Sequence, residues 1–128
     1  MTTATASFEI TSWEPARTDE RPVGPAIGKV TVRKTFTGDL EGSSVAELLT
    51  VQKGDEGLAY TAVERVEGTL HQCAGTFVLV HGAADPTPPA RGSIVPGSGT
   101  GELQGLHGEV RVEHDEQGAR FTFDYELG

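Results

Sequence analysis

The segment Leu58-Ala-Tyr-Thr-Ala-Val-Glu-Arg-Val-Glu-Gly-Thr-Leu70 is the longest strand-like stretch of the chain. Its apolar and polar residues alternate over much of its length, which is the pattern of a half-buried β-strand. Because successive side chains of a strand point to opposite faces, one face carries Tyr60, Ala62, Glu64 and Val66. We expect a kink or bulge near Gly68, since glycine inside a strand often marks one.

Seven further segments show a strand pattern and are separated by turn residues. They cover residues 8–13, 28–36, 44–52, 74–81, 92–95, 108–114 and 119–127. Within 28–36, the residues Val30, Val32 and Phe36 share one face. Segment 44–51 is the one that could also form a helix, with an apolar stripe of Val45, Leu48 and Leu49. Its β-branched residues and flanking glycine turns favour a strand.

Short strands with frequent turns and no helical pattern predict an all-β fold, either a sandwich or a closed antiparallel barrel. Closure of a sheet of about eight strands removes its unpaired edges and leaves room for packed side chains or one small ligand. At 128 residues, the chain is expected to be a single domain spanning 1–128, with residues 1–6 flexible.

The composition argues against several classes of partner. With 10 basic and 19 acidic residues the formal net charge is −9, which disfavours nucleic acid and anionic membranes. No apolar run approaches the roughly 20 residues that a membrane-spanning helix needs. Cys73 is the only cysteine, so an intrachain disulfide is excluded, and the start of the chain does not resemble a signal peptide. These features predict a soluble cytoplasmic protein.

A glycine-rich segment carries a family resemblance. Pro96-Gly-Ser-Gly-Thr-Gly-Glu-Leu-Gln-Gly-Leu-His-Gly108 resembles the signature of the bacterial family DUF3224. More distantly, it is similar to the Gly-Gly-x-Gly-x-Phe-x-Gly-x-x-Gly turn of plant allene oxide cyclases and dirigent proteins. The resemblance extends over nearly the whole chain and implies a single eight-stranded, calycin-like β-barrel.

The same glycine-rich segment is interpreted as structural. It lacks the lysine and the following helix of a phosphate-binding loop, and it does not match a dinucleotide fingerprint. We therefore expect a barrel corner, with turns or strand bends at Gly97, Gly99, Gly101, Gly105 and Gly108.

Glu64 and His81 are candidate catalytic residues. If the face of Glu64 points inward, burial should raise the pKa of its carboxyl and suit it to acid–base chemistry. The alternatives are a carboxylate held by hydrogen bonds or by an arginine such as Arg33, or a face that points outward. His81 ends segment 74–81 and could shuttle protons at the barrel mouth, or be an ordinary rim histidine. Tyr60 and Phe77, on the faces of Glu64 and His81, are predicted to contact a ligand.

The first strand adds three candidates. Phe8-Glu-Ile-Thr11 resembles the Tyr-Glu-Ile-Asn strand of allene oxide cyclases, whose Glu and Asn take part in their site. The resemblance implies a catalytic role for Glu9 and a ligand contact for Thr11, although threonine replaces asparagine. Trp13 shares the strand parity of these two residues, so all three are predicted to face the lumen.

The best interpretation is a small barrel that binds a small, partly apolar molecule in its lumen. An isomerase or cyclase of the allene oxide cyclase type is the main alternative, so enzymatic activity stays open. A third is a barrel filled by side chains that acts through a homo-oligomer or another partner. No cofactor is implied, and no metal is expected because the histidines at 71, 81, 107 and 114 lack metal-binding spacing.

Overall fold

The protein is described by a computed structural model over residues 1–19, 23–84, 90–116 and 118–128, and these ranges form eight strands and one short 3₁₀ turn. The strands are β1 (Thr2–Asp19), β2 (Ala26–Gly38), β3 (Leu40–Lys53), β4 (Glu56–Leu70), β5 (Cys73–Ala83), β6 (Ala90–Ile94), β7 (Leu106–Asp115) and β8 (Gly118–Leu127). Each strand pairs antiparallel with the next, and β8 pairs with β1, so the sheet closes. The predicted all-β, eight-stranded antiparallel barrel is confirmed.

The β1–β8 pairing closes the barrel with residues that the sequence does not identify as a strand. Strand β1 begins at Thr2, and residues 2–7 pair with β8. Ala4 and Ala6 are buried there. Residues 2–6 of the segment that was expected to be flexible are therefore part of the paired sheet.

Two expectations about β3 and β4 have opposite outcomes. Segment 44–51 lies inside β3, so the strand prediction is confirmed against the helical alternative. The prediction of a bulge near Gly68 is wrong. The register between β3 and β4 is regular through the pair of Gly42 and Gly68 and shifts only between Val51 and Gln52. A Cβ on Gly68 would lie 2.2 Å from the Glu41 carbonyl oxygen. Glycine at position 68 therefore allows β3 and β4 to approach each other closely.

The glycine-rich segment forms the turns that lead into β7, as predicted. Gly97, Gly101, Gly105 and Gly108 have positive φ, whereas Gly99 does not. At Gly101, with φ of +64°, the chain enters the 3₁₀ turn Gly101–Leu103. This turn places Leu103 in the core with no exposed surface. The segment thus covers one end of the barrel.

The interior differs between its two ends. At the end covered by Leu103, large side chains form the main core cluster, which includes Phe36, Leu40, Leu70, Phe77, Leu106, Phe121 and Phe123. Toward the other end the inward residues Val30, Val32 and Ala46 form a smaller cluster with Leu48 packed against it. We call these the closed end and the open end. In the described part of the chain, no helix is long and apolar enough to cross a membrane.

Candidate functional site

The open end encloses a cavity of about 610 Å³. This volume falls in the range of roughly 300–1,000 Å³ that is typical of small-molecule sites. Its wall is mainly apolar and includes Ile10, Trp13, Pro15, Val30, Val32, Leu48, Val51, Leu58 and Val112. Lys34, Tyr60 and His81 also line it and supply polar groups. The cavity therefore combines a mainly apolar wall with a few polar groups.

The register of β2 to β5 brings five polar side chains together, which we call the polar cluster: Lys34, Ser44, Tyr60, Glu64 and His81. Lys34 of β2 lies directly opposite Ser44 of β3. Glu64 is diagonal to Ser44, since Val66 is the direct partner of that serine. His81 is in turn diagonal to both Glu64 and Tyr60. Diagonal neighbours across a sheet lie within reach of long side chains.

Glu64 is the centre of the polar cluster and is fully buried. Its Oε1 accepts hydrogen bonds from Lys34 Nζ at 3.0 Å and from His81 Nε2 at 2.7 Å. Its Oε2 accepts a hydrogen bond from Ser44 Oγ at 2.6 Å. Three donors, one of them a cation, thus compensate a carboxylate that has lost its water.

The electrostatics of Glu64 correct the expectation of a raised pKa. Burial acts to raise the pKa of this carboxyl, as predicted. The hydrogen bond from His81, the charge of Lys34 and the hydrogen bond from Ser44 outweigh burial, so the pKa lies below its usual value of 4.5. Glu64 is therefore an anchored carboxylate at neutral pH.

The hydrogen bonds continue from Glu64 to the cavity wall. His81 Nδ1 lies 2.9 Å from the Tyr60 hydroxyl oxygen. A carboxylate only accepts hydrogen bonds, so His81 Nε2 must carry the proton that it donates to Glu64. In the neutral imidazole, Nδ1 then accepts the Tyr60 proton. Burial, followed by the negative charge of Glu64, raises the pKa of Tyr60 to about 12, so its hydroxyl stays protonated.

Lys34 is held between Glu64 and two aromatic rings. Its Nζ lies 5.0 Å from the centre of the Phe8 ring and 4.8 Å from that of Phe121. These distances are within the range of cation–π attraction. Phe121 also packs edge-on against His81, with ring centres 5.6 Å apart. The rings fix the ammonium group at the boundary between the packed core and the cavity.

Comparison with known proteins places this architecture in a family. The family described as a protein of unknown function, DUF3224, matches residues 4–125 of the chain. The chain belongs to the DUF3224 family. It is similar to the crystal structure of a DUF3224 protein of unknown function from Shewanella oneidensis MR-1, with 30% identity and a TM-score of 0.87. That match covers 100% of this chain and 98% of the other. No curated protein matches the chain.

Two predicted site residues of this DUF3224 protein lie outside the lumen. Glu9 and Thr11 are exposed, and neither lines the cavity. The register of β1 against β2 shifts between Ile10 and Ser12, so Thr11 is an extra residue. A bulge reverses the faces of the residues that follow it, here as far as the next register shift after Pro15. The predicted shared lumen face of Glu9, Thr11 and Trp13 is therefore wrong.

Trp13 lines the cavity because of the same bulge. It pairs with Val32, whose side chain points inward, and it is 54% exposed at the mouth. Phe77 points inward as predicted but lies in the closed end, where it packs edge-on against Phe123. It does not line the cavity, so its predicted ligand contact is not supported. Tyr60 and His81 line the cavity, and Glu64 lies behind them.

Sequence reasoning missed Lys34 and Ser44. The signal for Lys34 was present, since it lies midway between the inward residues Val32 and Phe36 and must share their face. Arg33, the suggested partner of Glu64, is exposed instead. No group of metal-ligating side chains is found among the residues that the structure describes.

Proposed function

We propose that this DUF3224 protein binds a small, partly apolar molecule inside its barrel. The observation that supports this most directly is the cavity of about 610 Å³ at the open end, with an apolar wall and polar groups from Lys34, Tyr60 and His81. Sites for small molecules commonly combine an apolar lining with a few polar groups that orient the ligand.

The proposal also includes the expected type of barrel, cellular location, partners and oligomeric state. A calycin-type barrel is supported by the simple strand order, in which each strand pairs with its neighbours in sequence. A cytoplasmic location fits a chain whose only cysteine, Cys73, is free. The net charge of −9 disfavours nucleic acid and anionic membranes as partners. A homo-oligomer is compatible with the same role.

The test uses the purified protein and its only tryptophan. Native mass spectrometry should detect complexes with members of a panel of aliphatic alcohols and acids. The same compounds should shift or quench the emission of Trp13, because the indole lies at the cavity mouth. Trp13→Phe should lose the optical signal while keeping the complexes in the mass spectrum. The proposal is wrong if no compound of the panel gives a complex by either method.

An isomerase or cyclase acting on an apolar substrate is the second candidate function. It is favoured by the series Tyr60–His81–Glu64, in which a carboxylate orients an imidazole that contacts a phenol at the cavity. When His81 is protonated, Tyr60 passes its hydroxyl proton to a substrate oxygen as it takes the Nδ1 proton of His81, and the reverse transfer takes the proton back from the product oxygen. Incubation with apolar epoxides and unsaturated ketones, followed by NMR, should then give an isomer of unchanged mass. Tyr60→Phe should abolish that conversion, and equal rates would exclude this role.

A further inference from the structure

The polar cluster presents a limited set of hydrogen-bonding positions to the cavity. Among the described residues, Glu64 is the one hydrogen-bond acceptor of the Lys34 ammonium, whose other contacts are the rings of Phe8 and Phe121. Lys34 therefore has N–H donors left for a ligand. Tyr60, when it donates to His81, has oxygen lone pairs left as acceptors. With a neutral His81, the cluster offers one donor site and one acceptor site.

The charges of the polar cluster also limit the net charge that a ligand can bring into the cavity. The Glu64 carboxylate and the Lys34 ammonium compensate each other through their contact of 3.0 Å. With a neutral imidazole, the buried cluster is neutral as a whole. A ligand anion would leave one uncompensated negative charge in an apolar cavity, which is costly. Protonation of His81 removes that charge and reverses the Tyr60 bond, so that Tyr60 becomes a donor to the ligand.

We propose that the ligand of this cavity is an apolar monocarboxylic acid whose carboxyl group binds at Lys34 and Tyr60 together with one shared proton. The inference rests on the proposed function and assigns the class of its ligand. A carboxylic acid beside a neutral His81, and a carboxylate beside a protonated His81, are two arrangements of the same atoms. Both satisfy Lys34 and Tyr60, and neither leaves a net charge.

The surroundings of His81 support it as the protein residue that shares the proton with the ligand. The groups that face it are Tyr60 and Glu64 of β4 and Phe121 of β8, with the charge of Lys34 of β2 beyond Glu64. His114 of β7 and Lys29 of β2 also line the cavity. In the contacts of the described residues, His81 is the histidine that touches both the buried carboxylate and a cavity-lining hydroxyl.

The test compares decanoic acid with 1-decanol, which have equal chains and different end groups. Calorimetric titration in two buffers with different ionisation enthalpies measures the protons taken up on binding. Above neutral pH, decanoate should take up about one proton per molecule, and its affinity should fall about tenfold per pH unit. Binding of 1-decanol should take up none and should not depend on pH over the same range.

Variants test whether His81 shares the proton. His81→Gln keeps an N–H donor toward Glu64 but cannot take the proton, so only the carboxylic acid arrangement is left and the affinity for decanoate should fall at least tenfold. His107→Gln, which changes a histidine outside the cavity lining, should keep the parent affinity. Parent affinity in His81→Gln would overturn the role of His81. The measurement on the parent protein needs no variant and stays decisive if His81→Gln does not fold.

The outcomes separate this inference from the proposed function. If 1-decanol binds and decanoate does not, or decanoate binds without proton uptake, the carboxylic acid assignment is overturned and small-molecule binding stands. If neither compound nor any other apolar probe binds, both proposals fail.

Discussion

The closed end and the open end of the barrel are built from the same strands, yet one is packed and the other encloses a cavity. In the closed end, phenylalanine and leucine side chains face inward, and Leu103 enters from the 3₁₀ turn. In the open end, the buried apolar residues of β2 and β3 are Val30, Val32 and Ala46, with the partly buried Leu48 packed against them. Alternation decides which residues face the interior, whereas the size of those residues decides whether a cavity is left.

Removal of a large side chain should have its greatest effect in the closed end. Phe77 is fully buried, so Phe77→Ala should lower the free energy of unfolding by about 3–5 kcal/mol. Ile10, which lines the cavity and is 50% exposed, is the control, and Ile10→Ala should cost less than about 1 kcal/mol. Urea denaturation measures both. Similar losses at the two positions would contradict the difference in packing.

Glu64→Gln, at the boundary between the two ends, should give the next largest loss of unfolding free energy. The substitution leaves the buried Lys34 ammonium without its counter-charge, and breaking such a pair costs about 3 kcal/mol near neutral pH. Glu47→Gln changes an exposed carboxylate of β3 and should stay within about 0.5 kcal/mol of the parent.

The pH dependence of the Glu64 effect follows from its pKa. Because that pKa is lower in the folded protein than its usual 4.5, the ionised carboxylate stabilises the fold above pH 4.5. This contribution is lost as the pH falls below 4.5 through the folded pKa. The gap in unfolding free energy between parent and Glu64→Gln should therefore narrow under acid conditions. A gap that is constant or widens below that pH would show that the carboxylate charge is not stabilising.

A smaller loss of stability is expected when Gly101, in the 3₁₀ turn of the closed end, is replaced. Gly101→Val places a β-branched residue at a φ of +64°, where its Cβ would lie 2.9 Å from the Ala74 carbonyl oxygen. The strain should cost about 1–3 kcal/mol. Gly57→Val is the matched control, since a Cβ at Gly57 meets no atom within 4 Å. Equal thermal midpoints for the two variants would show that the 3₁₀ turn does not need glycine.

Much of the fold could be predicted from sequence because alternation is a local signal. A predicted segment overlaps each of the eight strands, whereas the choice of a barrel over a sandwich came from the family resemblance. Strand ends were less well predicted, since residues 2–7 are ordered by pairing with β8, at the far end of the chain. Such long-range pairing leaves little trace in the local sequence.

The site was predicted only in part, and the reason differs for each error. Glu9 and Thr11 were assigned to the site from the resemblance of residues 8–11 to a cyclase strand. They do not share the face of Trp13 because the bulge in β1 reverses the strand parity, and neither glycine nor proline marks that bulge. The direction of the Glu64 pKa shift was wrong because it depends on the donors Lys34 and Ser44, which come from other strands. The burial of Glu64 could be inferred from its own strand, whereas its hydrogen-bond partners lie on three other strands, β2, β3 and β5.

The most direct test of the difference between the two ends is a methyl NMR titration with 1-decanol. The methyl signals of Ile10, Val30 and Leu48 should shift as the ligand enters the open end. The methyl signals of Leu40, Leu70 and Leu103, which lie in the closed end, should stay in place. Shifts confined to the closed end, or spread evenly over both sets, would contradict a binding cavity at the open end.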